Sequence, residues 1–139
     1  MELKPQYLKI TNALLVLTLL YYILNSKKNI GENVLAILII FILITSQIFW
    51  TKPLRYSNIH IIDAYIAKIT IISFIIYILF YKIISYFHLF TFIILLLIMF
   101  YTFYLSNYYS NKNWCCHNHL LYHGISHIFC FLLSIYAFI

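Results

Sequence analysis

Long apolar runs alternate with short polar stretches along the whole chain. Within each run the apolar residues are contiguous, without the polar–apolar alternation of an outer-membrane β-barrel strand. About 20 apolar residues in a helix cross the hydrocarbon core of a bilayer. The pattern therefore predicts an all-α transmembrane bundle, a single domain over residues 1–139, with five helices at Leu8–Leu24, Asn33–Trp50, Ile61–Tyr81, Phe87–Leu105 and His119–Phe138.

The composition agrees with this pattern, since 65% of the residues are hydrophobic and 9% are charged. Soluble domains average about 50% apolar and 25% charged residues. The net charge of +6 comes from single cations between the apolar runs, so no nucleic acid is expected as a partner. The three cysteines, Cys115, Cys116 and Cys130, predict no disulfide framework.

Lysine and arginine residues near the helix ends predict the orientation in the membrane. Six cations fall on the side of the N-terminus and three on the other, which favours a cytoplasmic N-terminus; the six are Lys4, Lys9, Lys52, Arg55, Lys68 and Lys112. The first run is followed by Asn25-Ser26-Lys27-Lys28 rather than a small-residue cleavage site, so we expect an uncleaved first helix. No retention signal indicates which membrane holds the protein.

Asp63 is the one acidic residue of the chain inside a predicted helix, because Glu2 and Glu32 lie outside the helices. An ionisable group in a membrane segment is costly and marks a functional site by default. His60 precedes Asp63 by three residues and shares its helical face. Alternatively, the two side chains exchange a hydrogen bond at the helix entrance, or Lys68 neutralises Asp63.

Three histidines open the last predicted helix at a spacing of four residues: His119, His123 and His127. On a helix they form one stripe, together with Ser126. Two histidines at this spacing offer two nitrogen ligands to a metal from one helix. Alternatively, the stripe packs against other helices through hydrogen bonds.

The topology of five helices places these clusters on one side of the membrane. His60 and Asp63 follow the second loop, and His119 and His123 follow the fourth. Ser46, near the end of the second helix, approaches the same side. The sequence therefore predicts one polar site close to one membrane face, provided that the helix count is five.

These residues resemble motifs of the CREST superfamily of membrane hydrolases, which includes alkaline ceramidases, lipases that remodel GPI anchors, and progestin and adipoQ receptors. The segment His119-Leu-Leu-Tyr-His123, followed by Ser126, is similar to the last-helix His-x-x-aromatic-His motif of that family. Asp63 and Ser46 resemble its aspartate and serine. The chain departs from the family at Trp50, where a zinc-binding histidine is expected, and in having five predicted helices rather than seven.

The resemblance implies a zinc-dependent hydrolase acting on the amide or ester bonds of membrane lipids. Zinc would be held by His119 and His123, with His60 as a substitute third ligand and His127 as the other choice. Asp63 would accept a proton from the metal-bound water, and Ser46 would hydrogen-bond the oxyanion. Two rivals stay open: a non-catalytic haem- or metal-binding protein, and a structural or scaffolding protein, including a degenerate member of the family.

Overall fold

The computed structural model describes residues 3–139, so the prediction for Glu2 lies outside the described residues. Over this range the chain forms helices and no strand, which confirms the predicted all-α fold class. Five helices follow one another: α1 (Gln6–Asn25), α2 (Ile30–Phe49), α3 (Asn58–Tyr81), α4 (Tyr86–Lys112) and α5 (His117–Ile135). Helix α1 is interrupted at Leu14, and the last turn of α3 is a π-helical turn over Tyr77–Tyr81.

Four of these helices, α1 to α4, are long and apolar enough to cross a membrane. Helix α5 has 19 residues, of which four are histidines, and is not among those four. Many large apolar side chains point away from the bundle, as expected where lipid rather than water surrounds a protein. The helices are thus consistent with a multi-pass integral membrane protein.

The helix boundaries differ from the predicted ones mainly in α4. The helix continues through Ser106 to Lys112, a stretch that the sequence assigns to the longest loop. Its serines, asparagines and tyrosines are polar, but none is a glycine or proline, so nothing there breaks a helix. Helix α3 begins three residues earlier than predicted because Ser57 caps its first turn.

Three of the interhelical turns enter the next helix in the same way. The residue before the N-cap lies in the left-handed region: Lys28 (φ 55°), Tyr56 (φ 63°) and Cys115 (φ 58°). These residues precede the caps of α2, α3 and α5. Side chains other than glycine adopt this conformation at a cost, so the turns must be held by other contacts.

The helices form an open ring. Helix α2 packs on α3, α4 packs on α5, and α1 packs on both α2 and α5. Within residues 3–139, α3 and α4 are not among the closely packed pairs. The ring therefore runs α3–α2–α1–α5–α4 and leaves its gap between α3 and α4.

Helix α1 is attached to α5 by a close approach and by hydroxyl groups. A Cβ atom at Gly124 would overlap the ring of Tyr7, so only glycine fits there without a shift. Thr11 Oγ1 lies 3.0 Å from His127 Nδ1, and Thr18 Oγ1 lies 2.8 Å from Ser134 Oγ. Small residues and hydroxyls of this kind hold helices together in lipid.

At the end of the bundle where α2 begins, Glu32 is fully buried in the first helical turn, so the prediction that it lies outside the helices is wrong. Its carboxylate forms an ion pair with Lys82 at 2.9 Å and accepts a hydrogen bond from Ser26 at 2.9 Å. Lys82 Nζ also donates to the carbonyl oxygen of Ala137 at 3.0 Å. This charge clamp (Ser26, Glu32, Lys82 and Ala137) ties α2 to the segments that follow α3 and α5.

Candidate functional site

A cavity of about 610 Å³ lies between the helices, with wall residues from all five of them. Each of the predicted site residues lines it: Ser46, His60, Asp63, His119 and His123. Polar and aromatic side chains gather at the end where α2 stops and α3 and α5 begin, whereas side chains such as Ile39, Ile75 and Phe92 line the deeper part. The structure brings the predicted positions together, and their chemical roles stay predictions.

Asp63 is buried in the second turn of α3 and is held by hydroxyl groups of α2. Its Oδ1 accepts a hydrogen bond from Thr45 Oγ1 at 3.0 Å, and the Ser46 hydroxyl lies beside the same carboxyl group. Neither predicted alternative occurs among the described residues, because Lys68 lies over the ring of Tyr65 and His60 bonds elsewhere. Asp63 is therefore a buried acid without an ion-pair partner in residues 3–139.

His60 and His119 have equivalent roles at the starts of α3 and α5. His60 Nδ1 accepts the main-chain N–H of Tyr56 at 3.0 Å, and His119 Nδ1 accepts that of Cys115 at 3.1 Å. In both cases the donor is the left-handed residue before the N-cap. A ring nitrogen that accepts a hydrogen bond is unprotonated, so each neutral ring carries its hydrogen on Nε2.

His123 and His127 are bonded to hydroxyl groups instead. His123 Nδ1 lies 3.1 Å from Ser106 Oγ, and His127 Nδ1 lies 3.0 Å from Thr11 Oγ1. Thr11 Oγ1 also lies 3.3 Å from the carbonyl oxygen of Leu8, within donating distance. The rings of His123 and His127 are 4.8 Å apart between centroids.

Trp50 occupies the space beside the histidines of α5. Its ring centroid is 5.2 Å from that of His123 and 6.3 Å from that of His119. Trp114 lies nearly parallel to it, with an interplanar angle of 13°, and also contacts His60 and His119. An indole thus fills the position at which the resemblance leads one to expect a metal-binding histidine.

The predicted ligand set, as it is arranged, does not fit zinc. A zinc-binding histidine gives a lone pair from one nitrogen and donates the N–H of the other. His60 and His119 have the reverse arrangement, because their Nδ1 atoms accept main-chain hydrogen bonds. In the part of the chain that the structure describes, no group of three or more His, Cys, Asp or Glu side chains could hold a metal ion.

Sequence reasoning missed several polar groups of the cavity. Asn12 Nδ2, Trp50 Nε1 and Thr70 Oγ1 are buried without a hydrogen-bond partner in residues 3–139, and all three residues line the cavity. The cations Arg55 and Lys68 line it as well. A signal for Asn12 was present, since an amide inside an apolar run is as unusual as Asp63. Compared with known proteins, the chain matches no family model, no curated protein and no solved structure.

Proposed function

We propose that this chain is a multi-pass membrane protein whose cavity binds a membrane lipid. The observation that carries the proposal is the form of the cavity, in which polar and aromatic side chains gather at one end and most of the deeper wall is apolar. Its volume of about 610 Å³ lies within the range of sites for small molecules, roughly 300–1,000 Å³. Such a space accommodates a lipid headgroup and the upper part of an acyl chain.

The gap between α3 and α4 supplies the route of entry. Both helices contribute apolar side chains to the cavity wall, among them Ala67 and Ile71 of α3 and Leu96 and Met99 of α4. A lipid entering sideways would keep the rest of its chains in the bilayer. By the count of cations at the helix ends, the polar end of the cavity and the N-terminus are placed on the cytoplasmic side in this proposal.

Quenching of tryptophan fluorescence by a lipid with brominated acyl chains tests the proposal. The chain has two tryptophans, Trp50 and Trp114, and both line the cavity. We expect near-stoichiometric quenching in detergent micelles that is largely lost in Ala67→Phe, which fills the cavity wall. Ile69→Phe is the matched control, because Ile69 lies outside the cavity and is 54% exposed. Equal quenching in both variants would contradict a lipid site in the cavity.

Hydrolysis of a lipid amide or ester bond is a second candidate function. It is the function that membership of the CREST superfamily would imply. It is favoured by Asp63, a buried acid without an ion-pair partner in the described range, beside Ser46 at the polar end of the same cavity. A zinc version would require His60 and His119 to release their main-chain hydrogen bonds. If the protein is a hydrolase, we expect lipid turnover that Asp63→Asn abolishes. If it is a zinc hydrolase, we also expect about one zinc per chain, lost in the double variant His119→Ala/His123→Ala. Turnover that survives Asp63→Asn would argue against a role of Asp63.

A further inference from the structure

We infer that the lipid held in the cavity is a glycerophospholipid, bound through the oxygens of its phosphate and ester groups. The inference rests on the proposed lipid-binding function and names the class of lipid. It comes from the balance of hydrogen-bond donors and acceptors around the cavity.

Donors without acceptors are concentrated in the cavity wall. Trp50 Nε1 and Asn12 Nδ2 are donor groups on side chains that are 1% and 2% exposed, and neither has an acceptor in the described part of the chain. His60 and His119 add two more donors, because their hydrogens lie on Nε2. A buried donor without an acceptor is costly, so the ligand that completes this cavity must bring acceptors.

The charged residues of the cavity wall also favour a ligand that brings acceptors. Arg55 and Lys68 both line the cavity, and neither forms an ion pair within residues 3–139. The guanidinium of Arg55 lies over the ring of Trp114, 5.5 Å from its centroid, at the polar end. Asp63 is the acid of the wall, and one of its oxygens is engaged by Thr45. Two cations against one acid favour an anionic group, and the planar fork of arginine suits a phosphate.

The depth of the donors fits two kinds of acceptor. Trp50 and Arg55 lie between the end of α2 at Phe49 and the start of α3 at Asn58, at the polar end of the cavity, where a phosphate would lie. Asn12 lies deeper, four residues beyond Leu8, which packs with Trp50, or about 6 Å along α1. An ester carbonyl is attached below the phosphate in a glycerophospholipid, so the two acceptors are arranged in the same order as the donors.

Other lipid classes fit this wall less well. A ceramide carries no charge and brings an amide N–H and hydroxyl groups, which would face a wall that already has a surplus of donors. A diacylglycerol brings ester carbonyls but no group for Arg55 and Lys68. Among the lining residues, all within the described range, Asp63 is the one carboxylate. The geometry therefore separates phosphate-bearing lipids from neutral ones.

Displacement of the brominated lipid measures this preference. Short-chain phosphatidic acid, diacylglycerol and ceramide are each titrated against the quenched protein in detergent micelles. We expect phosphatidic acid to bind about 10-fold more tightly than either neutral lipid, a step of about 1.4 kcal/mol. Trp50→Phe removes one donor, keeps Trp114 as the fluorophore, and should weaken the binding of phosphatidic acid.

Charge variants identify the phosphate contacts. Arg55→Gln should weaken the binding of phosphatidic acid severalfold and leave diacylglycerol binding unchanged, which also demonstrates that the variant folds. Lys52→Gln is the matched control, because Lys52 is an exposed cation of the same loop that does not line the cavity. An equal loss in Lys52→Gln would overturn the inference in favour of general charge attraction.

The remaining outcomes separate the inference from the function on which it rests. Equal binding of phosphatidic acid and ceramide would overturn the phospholipid assignment while leaving a lipid-binding cavity. Displacement by inorganic phosphate alone would assign the site to a soluble anion and overturn the inference. If the brominated lipid produced no quenching that any of the three lipids relieved, the proposed lipid-binding function itself would fail.

Discussion

At the scale of single residues, His60 and His119 each cap the start of a helix and also line the cavity. Each is the third residue of its helix and accepts the N–H of a left-handed residue four positions earlier. This resembles a capping box, in which the third helical residue reaches back to a main-chain N–H. The capping contact alone explains a histidine at either position, and both side chains also line the cavity.

The left-handed residues themselves are a source of strain that can be tested at Lys28. Lys28→Gly should raise the free energy of unfolding by up to about 1 kcal/mol, because glycine adopts φ 55° without the cost that other residues pay. Unfolding in mixed detergent micelles measures the change. Lys27→Gly removes the same charge at a neighbouring exposed position that is not left-handed, and it should bring no gain. A gain of equal size in both variants would point to charge rather than backbone strain.

At the scale of helices, the sequence was sufficient for the class of fold and for the approximate position of each helix. Continuous apolar runs locate α1 to α4 because a helix that crosses a membrane must be long and hydrophobic, and both properties can be read from the run itself. The end of α4 was missed, since the polar residues from Ser106 to Lys112 carry no helix-breaking signal. Glu32 was missed because its burial depends on Lys82, which lies 50 residues away.

The candidate site was predictable in its membership but not in its bonding. The order of the helices, with an even number of membrane crossings between the second and fourth loops, predicts that Asp63 and His119 lie at the same end of the bundle, and both line the cavity. The order of the helices does not determine which nitrogen of a histidine is protonated, because that depends on the local turn. Nor does it indicate that Trp50 would lie against His123. The metal hypothesis depends on these details, which a pattern of residue types does not contain.

At the scale of the whole molecule, the bundle is held at one end and open along one side. The charge clamp joins α2 to the segments after α3 and α5, whereas α3 and α4 are not closely packed within the described range. The clamp lies at the end of the bundle opposite Trp50, so it holds the helices together while the side between α3 and α4 is open. Removing the clamp should therefore lower the free energy of unfolding of the whole bundle.

Lys82→Met should lower the free energy of unfolding by about 3–5 kcal/mol, because it leaves Glu32 buried without its cation. The double variant Glu32→Gln/Lys82→Met should recover part of that loss, since no unpaired charge remains. Lys52→Met, at an exposed lysine, should change stability by less than about 0.5 kcal/mol. If Lys82→Met cost no more than Lys52→Met in detergent unfolding at neutral pH, the clamp would have no stabilising role.

The attachment of α1 to α5 sets an order on biosynthesis. Asn25 ends α1 and His117 begins α5, 92 residues later. At about 5–20 residues per second, a ribosome needs roughly 5–20 s to make that stretch. During this interval Thr18 lacks Ser134, and the ring of Tyr7 lacks the notch at Gly124. Helix α1 therefore lacks these contacts until α5 has been synthesised, and the α1–α5 interface of the bundle forms only then.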